Sequence, residues 1–342
     1  MKRVRRALLA VALALGGTVA PGALAQTGAV DFYKGRQIAI IVGFPPGGGY
    51  DVYARVIARH FARYVPGAPT IVVQNMPGAG SMNLANHMYA VAPKDGTVIG
   101  SVESGAPLEA FYDGKGVRFD PQKFAWIGGV NEDTSTCQVW HTSPVKQFVD
   151  LRTHEAPFAG TGPAAPPEVE SKVANEVLGT RMKLILGYRG LGDVYAALEK
   201  GELEGSCGIT WSSVTAVRAD WIREGKLRTI VQIARQRHKD LPDVPLMTEF
   251  ARTEEERQIL QLLSLPNLVG RPYMAPPETP SERVRLLRSA FNATLRDAEF
   301  LADAAQAKLP IDPVSAERIE QVLADAAKMP RDVIARMANA RQ

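Results

Sequence analysis

The chain has 342 residues, 40 Lys and Arg against 36 Asp and Glu, and a formal net charge of +4 at pH 7. Four of the basic residues lie within the first six positions, and removing them from the 40 leaves 36 basic against 36 acidic side chains. A formally neutral remainder gives no support to a nucleic-acid partner or to a protein held on a membrane surface by charge.

The first 25 residues have the pattern of a secretory signal peptide. A basic start precedes an apolar stretch over residues 7–15 and a small-x-small cleavage site, Ala23-Leu24-Ala25. We expect cleavage after Ala25 and export to a Gram-negative periplasm, without a lipid anchor because no Cys lies near that site. No later segment reaches the roughly 18 apolar residues of a membrane helix. The mature protein is predicted to be a soluble monomer.

Strands and helices alternate from residue 38 onward. An apolar strand over residues 38–42 precedes a Gly-rich loop and a helix that ends near residue 64. Further strands are predicted at 70–73, 97–101 and 124–130, with a helix over 84–91. This alternation predicts a parallel sheet covered by helices.

A second set of units begins after residue 140. Strands are predicted at 157–162, 182–186, 206–210 and 227–233, and helices at 145–151, 169–177, 193–200 and 214–223. From residue 241 the chain is mostly helical, including a stretch over 253–263 and helices that begin at Ser281 and Ser315. We predict a discontinuous first lobe, residues 26–130 and 232–342, and an inserted second lobe, residues 131–231, since the chain is longer than one core usually holds.

The sequence contains two cysteines, Cys137 and Cys207, both in apolar, strand-like stretches. An exported chain can pair them, and two buried free thiols are equally ordinary. Both alternatives stay open.

Gly-rich loops follow several predicted strands, at residues 47–51, 75–81, 160–162 and 188–190. Glycines let a backbone approach a ligand closely, and the free N–H groups at a helix start favour negative charge. Loops at the carboxyl ends of strands line the ligand crevice of open α/β sheets. Four such loops predict an anion site in a cleft between two lobes, although any single loop can be only a tight turn.

Motifs for other chemistries are missing from the sequence. Residues 47–53 lack the Gly-Lys-Ser/Thr ending of a phosphate loop, and residues 78–83 lack the third small residue of a dinucleotide fingerprint. There is no Gly-x-Ser-x-Gly or His-Glu-x-x-His, and the five histidines show no ligand spacing. We predict no cofactor, no metal and no catalytic residue, with a secreted enzyme as the least favoured alternative.

Two charged loop residues are candidate contacts. Arg189 lies between glycines where a strand should end, so its guanidinium could hold a carboxylate in bidentate fashion, and a solvated loop arginine is the alternative. Asp51 is placed to cap its helix, with ordering of water at the anion as a possible addition.

Five short motifs follow one another along the chain. They are Phe44-Pro45-Pro46-Gly47-Gly48 with Asp51 and Ala54-Arg55, Asn75-Met76-Pro77-Gly78-Ala79-Gly80, Asp95-Gly96-Thr97, Gly187-Tyr188-Arg189-Gly190 and Leu241-Pro242-Asp243-Val244-Pro245. In this order they resemble the signature of the tripartite tricarboxylate transporter receptors, also called Bug proteins, over the whole mature chain.

The resemblance implies an α/β, type II periplasmic-binding-protein fold, with two doubly wound lobes joined by crossing strands and the ligand in the cleft. It implies a solute-binding receptor that closes around a small carboxylate, such as a di- or tricarboxylate or an aromatic acid, and delivers it to membrane permease subunits. A sensor subunit that presents its closed form to a signalling receptor is the alternative.

The predicted ligand-binding residues belong to the Gly-rich loops and adjacent strand ends. In the first lobe they are Phe44, Pro46, Gly47, Gly48, Gly49, Tyr50, Asp51, Asn75, Gly78, Ala79, Ser81 and Ser104. In the second lobe they are Thr134, Thr161, Gly162, Tyr188, Arg189 and Asp193. Tyr50, Glu103, Thr134 and Trp211 are candidates to contact the remainder of the ligand, with ordinary packing as the alternative.

Overall fold

The computed structural model describes residues 32–47, 49–112, 114, 116–161, 165–188 and 190–341. The predicted signal peptide lies outside the described residues, as do Gly48, Gly162 and Arg189. Within the described part of the chain, no helix is long and apolar enough to cross a membrane.

The described residues form two sheets flanked by helices. The strands are β1 (Gln37–Val42), β2 (Thr70–Asn75), β3 (Val98–Ser101), β4 (Ala125–Gly129), β5 (Ser135–Trp140), β6 (Ala156–Gly160), β7 (Met182–Leu186), β8 (Gly205–Thr210), β9 (Leu227–Ile233), β10 (Pro272–Ala275) and β11 (Val314–Ser315). The α-helices are α1 (Gly49–Phe61), α2 (Met82–Ala90), α3 (Pro166–Leu178), α4 (Leu191–Glu199), α5 (Trp211–Arg223), α6 (Glu254–Val269), α7 (Ser281–Thr294), α8 (Ala298–Gln306), α9 (Ala316–Ala327) and α10 (Arg331–Ala340).

The first sheet has the strand order β11-β4-β10-β3-β1-β2, and the second has the order β7-β6-β8-β5-β9. This arrangement confirms the predicted α/β class with two sheets. The predicted lobe limits at residues 130/131 and 231/232 lie next to the ends of β4 and β9, and the division into lobes stays a prediction.

Both sheets are mixed, whereas the sequence alternation predicted parallel strands. β1 runs parallel to β2 and β3, but β10 runs antiparallel to β3 and β4. In the second sheet, β5 runs antiparallel to β8 and β9. The reason lies in where the chain crosses from one sheet to the other. β5 and β10 each begin at such a crossing, beside the carboxyl ends of the strands with which they pair. A strand that enters at those ends must run in the opposite direction.

Two helical segments differ from the predicted pattern. The predicted helix over 253–263 continues as α6 to Val269 and includes Pro266, and the predicted helix over 145–151 is a 3-10 turn, Phe148–Arg152. The C-terminal α10 packs against both α6 and α3, so it contacts the helical cover of the second sheet. α3, α6 and α10 line one side of the space between the sheets.

Cys137 of β5 and Cys207 of β8 form a disulfide across two paired strands of the second sheet. Both residues are fully buried. Of the two alternatives that the sequence left open, the structure contains the paired one.

Replacing both cysteines with Ala should lower the free energy of unfolding by about 2–4 kcal/mol, because the disulfide links residues 70 positions apart and restricts the unfolded chain. Urea denaturation would measure this loss. Wild-type protein treated with reductant is the matched control and should lose a similar amount. A double variant as stable as the oxidised wild type would show that the disulfide does not stabilise the fold.

Candidate ligand-binding site

A cavity of about 430 Å³ lies between the two sheets. This volume falls within the range of about 300–1,000 Å³ that small-molecule sites occupy. The first sheet and its loops contribute Phe44, Tyr50, Glu103, Ser104 and Arg271, and the second contributes Ser135, Thr161, Glu170, Ser206 and Thr210. The cavity is therefore positioned so that one molecule can contact both sheets.

Apolar side chains form much of the cavity wall. Most of them come from helices that cover the second sheet and from the helices that follow it in the chain, while Leu108 lies in the 3-10 helix after β3 and Ile209 lies in β8. Members of this group are Leu108, Val169, Leu191, Val194, Ile209, Leu262, Leu263 and Met337. Such a wall strengthens electrostatic interactions inside the cavity, because it keeps the effective dielectric low.

Asp51 holds the loop that precedes α1. Its carboxylate accepts hydrogen bonds from Arg55 Nε at 2.8 Å, from the backbone N–H of Gly47 at 2.8 Å and from Asn75 Nδ2 at 2.9 Å. Led by the hydrogen bond from Arg55, these donors hold the pKa of Asp51 at about 2. Asn75 Nδ2 also donates to the carbonyl of Phe44 at 2.9 Å. Asp51 and Asn75, two of the predicted site residues, therefore fix the shape of this loop without lining the cavity.

Phe44 and Tyr50 form an aromatic wall at the mouth of the loop. Their rings stack with centroids 4.5 Å apart. The hydroxyl of Tyr50 accepts a hydrogen bond from the backbone N–H of Ser104 at 3.1 Å, and burial raises the pKa of Tyr50 to about 12. Tyr50 is thus a neutral, anchored side chain at physiological pH.

Glu103 lies in the turn after β3. The Ser81 hydroxyl accepts a hydrogen bond from the backbone N–H of Glu103 at 2.7 Å. The Glu103 carboxyl accepts from the backbone N–H of Gly105 at 2.7 Å and from the Ser104 hydroxyl at 3.0 Å. Burial raises the pKa of Glu103. A carboxyl group that sequence analysis named only as a candidate therefore lines the cavity.

Arg271 brings a guanidinium to the cavity from the start of β10. Its Nη1 donates to Asn131 Oδ1 at 2.8 Å, and its Cζ lies 4.7 Å and 5.5 Å from the ring centroids of Tyr53 and Tyr50. Its buried Nε has no hydrogen-bond partner among the described residues. A Cβ at Gly49, the first residue of α1, would lie 4.0 Å from Nη2. The cation therefore stands beside the helix start that was predicted to attract an anion.

Glu170 lines the cavity from α3 and is only 4% exposed. Burial raises its pKa to about 8, while hydrogen bonds from the Ser135 hydroxyl, at 2.8 Å, and from the backbone N–H of Gly208 oppose the rise. Gly208 has a φ of +72°, and a Cβ there would lie 2.3 Å from the backbone of Pro166, so only glycine fits this approach to α3. Near pH 7 the Glu170 carboxyl is mostly neutral and can donate a hydrogen bond.

The C-terminal end of the chain contributes a second guanidinium. Arg341 forms an ion pair with Glu109, and its Cζ lies 4.7 Å from the ring centroid of Tyr112. All three residues line the cavity. Because Glu109 already neutralises its charge, Arg341 forms part of the cavity wall but offers no unpaired positive charge to a ligand.

The structure places the predicted site residues in three groups. Those that line the cavity are Phe44, Tyr50, Ser104 and Thr161. Those that are described but do not line it are Pro46, Gly47, Gly49, Asp51, Asn75, Gly78, Ala79, Ser81, Thr134, Tyr188 and Asp193. Gly48, Gly162 and Arg189 lie outside the described residues. Direct ligand contact by any of them stays a prediction.

Several cavity residues were not predicted from the sequence. Arg271, Glu170, Ser135, Met337 and Arg341 all line the cavity. None belongs to a Gly-rich loop, which was the signal that the sequence analysis followed. The available signal for Arg271 was its position between Gly270 and Pro272, which marks a sharp entry into a strand.

A cluster of His60, Asp297 and Glu299 has metal-type ligand atoms within 4.8 Å of one another. Arg63 Nη1 donates to Glu299 at 2.8 Å, and His60 Nε2 lies 2.8 Å from Asp303 Oδ2. The guanidinium already supplies the positive charge that balances these carboxylates. This cluster is an ion-pair network between α1 and α8 and is not part of the cavity lining.

Comparison with known proteins gives a consistent family. The family model TctC, described as tripartite tricarboxylate transporter family receptor, matches residues 53–338. Protein BugT of Bordetella pertussis is 28% identical over 321 residues, which cover 89% of this chain and 89% of that protein.

Solved structures agree with this assignment at the level of the fold. A TctC solute-binding protein from Polaromonas has a TM-score of 0.67 at 18% identity, covering 90% of this chain and 99% of that one. MatC from Rhodopseudomonas palustris, solved with bound malate, has a TM-score of 0.62 at 20% identity, with coverage of 90% and 99%. These likenesses confirm the predicted periplasmic-binding-protein fold.

Replacing Asp51 with Asn should destabilise the protein by about 1–3 kcal/mol, because the amide NH2 would face a donor where a buried carboxylate oxygen now accepts. Arg55→Ala is the matched control and should lose less stability than Asp51→Asn, since that side chain is half exposed and its ion pair is screened by solvent. Urea denaturation of both variants checks this. Equal, small losses would show that the Asp51 network does not hold the loop.

The buried Glu170 predicts a pH dependence of stability. Between its ordinary pKa of 4.5 and the folded value of about 8, the unfolded chain has lost the proton that the folded chain retains. The free energy of unfolding should therefore fall as pH rises through this window. Glu170→Gln should remove this part of the slope in denaturation series, whereas Glu176→Gln, at an exposed position of the same helix, should not. An unchanged slope in Glu170→Gln would contradict the assignment.

Proposed function

Since the chain belongs to the tripartite tricarboxylate transporter receptor family, we propose that it is a periplasmic solute-binding receptor that captures a small carboxylate and delivers it to the permease of a tripartite transporter. The observation that carries this proposal is the cavity between the two sheets, with Arg271 beside the start of α1. A guanidinium and the positive end of a helix dipole both favour an anion at that place.

Capture requires that the ligand stabilise one arrangement of the lobes over another. The cavity supports this proposal, because its polar groups come from both sheets and a bound molecule would contact both sheets at once. Closure about segments that cross between domains is a common response of two-lobed binding proteins. A structural neighbour, MatC, was solved with bound malate, a dicarboxylate, and this supports the proposal that the same fold binds a carboxylate here.

The family and the structural neighbours are receptors, which favours binding over catalysis. The predicted signal peptide supports the periplasm as the place of binding. Delivery to a permease is the use that the family description implies.

A thermal-shift screen tests the binding proposal. Residues 26–342, unfolded and refolded to remove bound molecules, would be heated with mono-, di- and tricarboxylates, aromatic acids and amino acids. A ligand that binds only the folded state at 100 times its Kd should add about 2.7 kcal/mol of stability and raise the melting temperature dose-dependently. A folded protein whose melting temperature no acid in the set raises would contradict carboxylate binding.

Deletion of the gene separates transport from sensing. Cells without a transport receptor should lose uptake of the labelled acid found in the screen, and the wild-type gene should restore it. Normal uptake with loss of the transcriptional response to that acid would instead identify a sensor subunit.

A further inference from the structure

We infer that the cavity is built for an organic acid with a single carboxylate and an apolar body, and that Arg271 holds the carboxylate. This inference rests on the proposed function, because it names the ligand class of the same site. It also narrows the expectation from the sequence, which left di- and tricarboxylates open. Three features carry it: the free cation, the neighbouring acids and the apolar wall.

Only one positive charge is free for a ligand among the described residues that line the cavity. The lining contains two arginines, Arg271 and Arg341, and Arg341 is already paired with Glu109. Among the described residues, Arg271 has no carboxylate within ion-pairing distance, and its one hydrogen bond goes to the neutral amide of Asn131. The guanidinium is partly buried, and its Nε is buried without a hydrogen-bond partner among the described residues, so a ligand carboxylate would satisfy it.

Acidic groups stand elsewhere on the cavity wall. Glu103 and Glu170 both line it, and neither has a cationic partner within ion-pairing distance among the described residues. A second ligand carboxylate away from Arg271 would be buried beside these acids with no cation to balance it. Its desolvation would cost more than a single hydrogen bond from a neutral Glu170 returns.

The remaining wall suits a hydrocarbon body. Val169 and Val194 face the cavity from the second sheet's helices, and Leu262, Leu263 and Met337 face it from α6 and α10. Displacing water from such a surface favours binding by roughly 25 cal/mol for each Å² of apolar area that is buried. A compact polycarboxylate has little apolar area to bury there, whereas an aliphatic or aromatic acid has much.

Three probes with six carbons each separate charge from size. Hexanoate has one carboxylate, adipate has two, and hexanamide has none. Calorimetric titration of the ligand-stripped wild type at about pH 7, with all three, compares them on one chain length. We expect hexanoate to bind at least about tenfold more tightly than adipate and at least about tenfold more tightly than hexanamide, and tenfold corresponds to about 1.4 kcal/mol.

The cation is tested by Arg271→Met, which keeps an apolar stem and removes the guanidinium. Hexanoate affinity should fall at least about tenfold. Arg59→Met is the matched control, because Arg59 is exposed, pairs with Asp303 on α8 and does not line the cavity, and its hexanoate affinity should equal that of wild type. If circular dichroism shows that Arg271→Met does not fold, the comparison of hexanoate with hexanamide on the wild type still tests whether the site recognises the negative charge of the ligand.

The outcomes distinguish this inference from the function on which it rests. Adipate that binds as tightly as hexanoate, or unchanged hexanoate affinity in Arg271→Met, would overturn the inference and leave a carboxylate receptor standing. Adipate preference that disappears in Arg189→Ala would also overturn it, by assigning a second anion site to that loop. If no acid binds here or in the thermal-shift screen, the proposed function itself fails.

Discussion

Two chain segments cross side by side between the sheets, and the geometry of the site depends on their pairing. The backbone N–H of Val130 donates to the carbonyl of Arg271 at 3.2 Å, and that of Asp133 donates to the carbonyl of Asn267 at 3.3 Å. A Cβ at Gly270 would lie 2.2 Å from the carbonyl oxygen of Asn131, so this close approach requires glycine. Because the segments enter each sheet at the carboxyl ends of its strands, those ends face each other, and the loops that follow them enclose one cavity.

The same pairing positions the guanidinium of Arg271. Arg271 belongs to one crossing segment and donates to Asn131 of the other. A ligand bound to its guanidinium would therefore also contact the segments that cross between the sheets. Low-dielectric walls strengthen the attraction of a carboxylate to Arg271, and they raise the cost of burying a second carboxylate that no cation balances. In the proposed site, charge would decide which acids bind, and the apolar wall would supply the area that makes binding tight.

Much of the fold could be predicted from local sequence patterns. The apolar run of β1 and the helical spacing of Tyr53, Ile57 and Phe61 in α1 identified the first unit, and the same side chains share one buried core in the structure. β10 has only four residues and β11 only two, which is too short to show a period. Arg271 enters the site because β10 pairs with β4, far away in sequence, and no local pattern records such a pairing. For Asp51 the local pattern predicted too much. A loop motif marked it as a ligand contact, whereas it holds the loop by accepting a hydrogen bond from Gly47 and does not line the cavity.

A crystal structure of the ligand-stripped protein soaked or co-crystallised with hexanoate tests the account most directly. We predict a carboxylate oxygen within about 3.2 Å of a guanidinium nitrogen of Arg271, with the hydrocarbon chain against Val169, Leu262 and Met337. A hexanoate whose carboxylate lies away from Arg271, or one bound outside the space between the sheets, would contradict the account.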